Sequence, residues 1–150
     1  MGSGRNGAQV QWYNCGMKVL FVCRANVGRS QAAMELYRLH GGIGDSAGTR
    51  VDMPGQQVAD RPAAATILRV MLETYGLDMS HNLRTQISPE NAAGYDKLII
   101  MAEPETIPAW LREDARTELW RIPDPAGQDK AATRNIVRKI EEKVVNIPNE

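Results

Sequence analysis

The stretch Val19-Leu20-Phe21-Val22-Cys23-Arg24-Ala25-Asn26-Val27-Gly28-Arg29-Ser30, followed by Gln31-Ala32-Ala33-Met34-Glu35-Leu36, decides the fold. An apolar run without alternation reads as a strand buried on both faces. It ends at a cysteine. A short loop follows, then an arginine, a serine and a helical pattern. That is strand, loop, helix, with a thiol at the loop's entrance and a guanidinium at its exit.

A turn from a strand into a helix aims several backbone N–H groups at one point, and the helix N-terminus adds partial positive charge there. Such a place suits phosphate or a similar oxyanion. Arg29 adds a planar fork that matches two oxygens of a tetrahedral anion. The same field favours a thiolate at Cys23, and a thiolate beside a bound phosphoryl group is a nucleophile in place. Ser30 is placed to donate to it. Asn26 and Gly28 tolerate the positive φ that an anion-cradling loop needs. A buried core cysteine and a surface arginine would also satisfy C-x5-R taken alone. The position, closing a strand and opening a helix, favours the anion site.

The stretch resembles the phosphate loop of the low-molecular-weight protein tyrosine phosphatases, an apolar strand followed by C-x-G-N-I-C-R-S-P. Cys23, Asn26, Arg29 and Ser30 match, and Val27 stands close to the isoleucine. Ala25 replaces the glycine, Gly28 the second cysteine and Gln31 the proline. The resemblance implies that Cys23 forms a phosphocysteine and that Arg29 binds phosphate. The loop residues Arg24, Ala25, Asn26, Val27, Gly28 and Ser30 then help to bind it. It extends to Ser46-Ala47-Gly48-Thr49, where Ser46 would hold Asn26, and to His81 and Arg84. There His81 would buttress Ser46, with Arg84 in the same supporting network. Without the second loop cysteine, oxidised Cys23 has no neighbour in the loop to trap it as a disulfide.

Attack by a thiolate on a phosphate monoester expels an oxyanion that needs a proton. Asp124, in Asp124-Pro125, matches the family's general-acid loop. In a parallel sheet it would follow the last strand and so meet Cys23 at the strands' carboxyl edge. The aromatics that wall the family's cleft are missing. None lies between Tyr37 and Tyr75, and Ala126-Gly127 follow Asp124-Pro125. Stacking on a phenol ring should therefore be weak.

Outward from the loop, Lys18–Val22 reads as the first strand, Ser30–His40 as a helix stopped by Gly41-Gly42, and Ile43–Thr49 as a strand and loop. Asp60 reads as an N-cap, with Arg61–Tyr75 helical, Ile67, Val70, Met71 and Thr74 facing the core, and Gly76 as the stop. Ser88-Pro89-Glu90 opens a short helix. Strands are expected over Lys97–Met101 and Glu118–Ile122, a short irregular helix over Pro104–Leu111, and a last helix over Thr133–Val145. Alternating strands and helices predict a parallel sheet. The resemblance makes this one α/β domain over residues 17–150, three-layer α/β/α with a four-stranded parallel sheet, flavodoxin-like and phosphotyrosine phosphatase I-like. Residues 1–16, including Trp12, Tyr13 and Cys15, read as a flexible extension.

The chain has 150 residues, enough for one domain with a real core. Lys+Arg and Asp+Glu both number 18, which gives no argument for nucleic acid or a membrane surface as partner. No signal-peptide or membrane-span pattern is present, so the expected compartment is the cytoplasm. Two cysteines and two histidines, all well separated, suggest neither a disulfide scaffold nor a metal site. No cofactor is expected. The expected partners are a phosphotyrosine protein or a small phosphomonoester, with phosphate or another oxyanion. Other readings are an arsenate reductase coupled to small thiols, a protein-arginine phosphatase and a phosphate-binding module. The arginine enzymes carry threonine where Val27 stands. Arsenate reductases that pass on a disulfide internally need cysteines this chain lacks after Met101.

Overall fold

The structure, a computed structural model, describes residues 17–148. The expected reading of residues 1–16 and the position of Cys15 lie outside the described residues. Four parallel strands form the sheet: β1 (Lys18–Cys23), β2 (Ile43–Gly48), β3 (Lys97–Ile100) and β4 (Thr117–Leu119). Their spatial order is β2-β1-β3-β4. The chain leaves β1 for one side and returns to pair with its other side, so the switch point falls between β1 and β3. The expected four-stranded parallel α/β architecture is borne out.

β1 is central, and Val19 to Cys23 are all buried. Its alternate side chains enter opposite layers. Val19, Phe21 and Cys23 join the core made with α1 (Arg29–Leu39), α2 (Ala65–Tyr75) and α5 (Lys130–Val144). Leu20 and Val22 join the layer made with Ala92 of α3 (Pro89–Ala92) and Leu111 of α4 (Ala109–Arg112). Phe21 anchors the first layer, edge-on to Tyr37 at 5.6 Å and tilted against Trp120 at 6.1 Å between ring centroids. Such pairs contribute about 0.5–1.5 kcal/mol beyond their burial.

Several boundaries differ from expectation. Asp60 caps no helix. Two 3-10 turns, Val58–Asp60 and Pro62–Ala64, precede α2, whose N-cap Ala64 has no side-chain cap. Arg61, the residue before Pro62, is held extended at φ -98° and ψ 117°, so no helix runs on from Asp60. Gly76 ends α2 at φ 72°, as the glycine stop requires. Ile67, Val70 and Met71 are buried, but Thr74 is exposed. α5 begins earlier than expected because Asp129 accepts from the Ala132 amide as N-cap. Trp120 and Ile122 lie past the short β4, buried against the core.

β2 ends at Gly48, paired with Cys23. A Cβ there would stand 2.7 Å from the Arg24 carbonyl oxygen and 2.9 Å from the Asn26 nitrogen, both backbone atoms. Gly48→Ala is therefore expected to destabilise by about 1–3 kcal/mol in urea unfolding. Gly94→Ala, whose Cβ would meet open space, should stay within about 0.5 kcal/mol of wild type. Equal midpoints for the two variants would contradict the close approach.

Candidate active site

The loop between β1 and α1 is held entirely from outside. The Cys23 carbonyl accepts from the Thr49 amide at 2.8 Å, and the Arg24 carbonyl from the Arg50 amide at 2.9 Å. The Ala25 carbonyl accepts from Arg84 Nε at 3.1 Å and Nη2 at 3.0 Å. The Asn26 carbonyl accepts from Gln31 Nε2 at 3.2 Å. Four successive carbonyls thus turn away from the loop's centre. Among the described residues, none accepts a hydrogen bond from the amides of residues 24–30. The helix that follows has no side-chain cap at its N-terminus, so its own leading N–H groups join this set.

Asn26 is the pivot. Among the described residues it is the one non-glycine with positive φ, 57°. Its Oδ1 accepts from the Thr85 amide at 2.7 Å, which fixes the orientation of the amide group. Its Nδ2 then donates to Ser30 Oγ at 2.7 Å and to Ser46 Oγ at 3.0 Å. Ser30 Oγ accepts that proton, so its own O–H is left to donate to Cys23 Sγ, 3.0 Å away. A chain of polar contacts therefore runs from Ser46 on β2 to the thiol at the end of β1.

Arg29 is buried at the opening of α1. Its Nη1 donates to the Met101 carbonyl at 2.7 Å and lies 3.1 Å from the Ile122 carbonyl and 3.0 Å from Glu103 Oε2. Nη2 reaches Glu103 Oε1 at 3.3 Å. Glu103 thus takes the end-on fork of the guanidinium. The side-on fork, Nε–H and the second Nη2–H, has no acceptor among the described residues. Burial alone would lower the Arg29 pKa. The bond to Glu103 and the charges of Cys23, Glu103 and Asp124 outweigh it, so the group stays a cation. Burial pushes Glu103 up, but Arg29 more than reverses this and holds the carboxyl below its usual range.

Cys23, Arg24, Ala25, Val27, Gly28, Arg29 and Asp124 line one cleft of about 370 Å³. Asn26 and Ser30 lie behind its floor, fully buried. Asp124 is exposed at the rim, its Oδ1 accepting from the Ala126 amide at 2.9 Å. Pro125 explains Gly28: a Cβ on Gly28 would stand 3.2 Å from Pro125 Cγ. The Asp124-Pro125 loop thus packs closely on the loop between β1 and α1 at Gly28. Ile67 belongs to the core and also walls the cleft. No aromatic residue lines the cleft among the described residues.

His81 does not buttress Ser46. It is exposed, with Nδ1 3.4 Å from Gln57 Oε1. Asp78 ties back the Ser80 amide and hydroxyl, and the Asn82 carbonyl accepts from the Val58 amide. That path turns Asn82 inward instead, onto Gln31 Oε1 at 3.2 Å and Glu35 Oε2 at 2.8 Å. Gln31, fully buried, is a site residue that sequence reasoning misses. Besides the Asn26 carbonyl it reaches the Leu83 carbonyl at 3.2 Å, tying loop and 80s segment together. Its one signal is a long amide at a buried helix position beside the loop.

Arg84 is 1 % exposed and also bonds Gln56 Oε1 and Asp52 Oδ1, each at 2.7 Å. The Arg84 hydrogen bond, with Arg61 adding charge, holds Asp52 below its ordinary 3.8. A carboxyl lowered in the folded state stabilises fully above its unfolded value, and that stabilisation is lost as pH falls through the folded one. Stability should therefore fall on acidification below about pH 4. Asp52→Asn should flatten part of that slope. Asp114, held at about 2 by Arg116, would supply another part. An unchanged acid slope in Asp52→Asn, by urea unfolding at stepped pH, would contradict this.

A family model described as low molecular weight phosphotyrosine protein phosphatase matches residues 18–150. The "glutaredoxin arsenate reductase" of Synechocystis is 31 % identical over 132 residues, covering 87 % of this chain and 95 % of that one. A low molecular weight protein tyrosine phosphatase from T. tengcongensis superposes with a TM-score of 0.73 at 20 % identity, over 87 % of this chain and 96 % of that one. An arsenate reductase in its phosphate-binding state does so with a TM-score of 0.66 at 28 % identity, over 87 % and 95 % of the two chains. With a cysteine and an arginine framing an anion-shaped loop at the switch point of this sheet, the chain belongs to the low molecular weight phosphotyrosine protein phosphatase family.

Proposed function

We propose that this protein hydrolyses phosphomonoesters through a phosphocysteine on Cys23. The observation that carries the reading is one cleft holding the thiol, the inward loop amides and the Asp124 carboxyl at its rim. The loop amides and the side-on fork of Arg29 hold the phosphoryl oxygens and stabilise the charge that builds on them. Cys23 Sγ bonds to phosphorus as the ester P–O bond breaks, and the departing oxygen takes the proton of Asp124. Water then attacks phosphorus and gives its proton to Asp124. The S–P electron pair returns to sulfur, the Ser30 hydroxyl donates a hydrogen bond to the thiolate so formed, and phosphate leaves. Ser46, Gln31 and Arg84 act through the loop as positioning residues.

The second reading is arsenate reduction, and the arsenate reductase relatives are what favour it. Arsenate is also a tetrahedral oxyanion. Cys23 would displace water from arsenic. An external thiol would then attack the Cys23 sulfur, leaving the S–As electron pair on arsenic as arsenite. A second external thiol would release Cys23 from the mixed disulfide. The chain's two cysteines, Cys15 and Cys23, make outside thiols the expected reductant in this scheme.

Hydrolysis of p-nitrophenyl phosphate near pH 6 tests the first reading. Cys23→Ser should fall below about one part in a thousand of wild-type kcat/KM. Asp124→Asn should lose about 10²- to 10⁴-fold, more with phenyl phosphate, whose leaving group needs the proton more. An inactive wild type that forms arsenite from arsenate with a small thiol would replace this reading by the second. An Asp124→Asn variant as active as wild type on phenyl phosphate would remove Asp124 from the mechanism.

A further inference from the structure

Two of the arginines that line the cleft have no ion-pair partner among the described residues. Four arginines line it, Arg24, Arg29, Arg50 and Arg61, against Asp52 and Asp124. The whole chain is electrically balanced, so the excess is local. Arg61 is paired with Asp52, which Arg84 shares. Arg29 is paired with Glu103. Arg24 and Arg50 make no ion pair among the described residues, and both are exposed at the cleft. They are neighbours, since the Arg50 amide donates to the Arg24 carbonyl. The one bond of the Arg50 guanidinium is a long one, 3.3 Å, to the Glu105 carbonyl.

A phosphoryl group has three terminal oxygens. The loop amides and the Arg29 fork already offer each of those oxygens a donor. The guanidiniums of Arg24 and Arg50 are therefore surplus to phosphoryl binding. The surfaces beside them are small and aliphatic, Ala63, Ile67 and Ala126, with no ring for an aromatic leaving group to stack on.

We infer that Arg24 and Arg50 form a second anion subsite, and that the preferred substrate is a phosphomonoester whose leaving group carries its own carboxylate or phosphate. This deepens the phosphatase reading and rests on it for the word substrate. The second anion orients the leaving group where ring stacking would do so in an aromatic-walled cleft. It also draws the substrate in from solution, an effect that salt weakens.

The test separates binding from turnover. Binding of 4-(carboxymethyl)benzylphosphonate and of its methyl ester, a pair differing by one remote charge, is measured by calorimetry with wild type and Arg50→Gln. The acid should bind wild type roughly fivefold more tightly than the ester, the scale of an exposed ion pair. Arg50→Gln should lose that advantage and leave ester binding unchanged, and raised salt should shrink the advantage in wild type. Equal binding of acid and ester to wild type would overturn the subsite, as would an advantage that survives in Arg50→Gln. Failure of both compounds to bind would overturn it too. An acid preference in a protein that does not hydrolyse p-nitrophenyl phosphate would keep the subsite and reject the phosphatase reading. Arg50→Gln should lose less on p-nitrophenyl phosphate, which has no second anion, than on a carboxylate-bearing substrate, and an equal loss on both would make Arg50 a general structural support instead.

Discussion

Everything in this molecule depends on where four backbone carbonyls point. Those of Cys23, Arg24, Ala25 and Asn26 are each bonded outward, to Thr49, Arg50, Arg84 and Gln31. A peptide unit whose C=O faces out has its N–H facing in. Inward amides of this kind suit an anion before any side chain is considered. Left alone, a loop of like-oriented dipoles would relax. Here the partners that prevent this come from β2's continuation, from the 80s segment and from α1 itself. Asn26 must also accept the left-handed conformation, a state costing about 1–2 kcal/mol for most residues. Its amide group, bonded at three points, offsets that cost and carries the strain into the network that ends on the thiol.

The sheet does the remaining placement. Parallel strands end at one edge, so Cys23 at the end of β1, Glu103 after β3 and Asp124 after β4 meet there despite long separations in sequence. Glu103 holds one edge of Arg29 and leaves the other for an oxyanion. Pro125 packs closely over Gly28, bringing the Asp124-Pro125 loop against the loop between β1 and α1.

What was legible in the sequence was periodic or local. β1's unbroken apolar run, the glycine stop after α2 and the strand–loop–helix turn all rest on neighbours within a few residues. Long-range choices were not legible. His81 and Asn82 are adjacent. Which one faces the loop is set by the Asp78 side chain and by the bond from the Val58 amide to the Asn82 carbonyl. Asp60 has the chemistry of a cap, but Pro62 holds the intervening Arg61 extended, so the helix starts beyond them. The partner of Arg29 could not be found either. Glu103 reaches it only because β3 lies beside β1.

The central claim is that Cys23 carries the phosphoryl group between substrate and water. The most direct measurement is mass spectrometry of Asp124→Asn protein, quenched during turnover of p-nitrophenyl phosphate. With no carboxylate to take water's proton, hydrolysis should lag behind transfer and leave one phosphoryl group on the peptide containing Cys23, absent from Cys23→Ala. Turnover with no adduct at Cys23, or an adduct that persists in Cys23→Ala, would contradict the account.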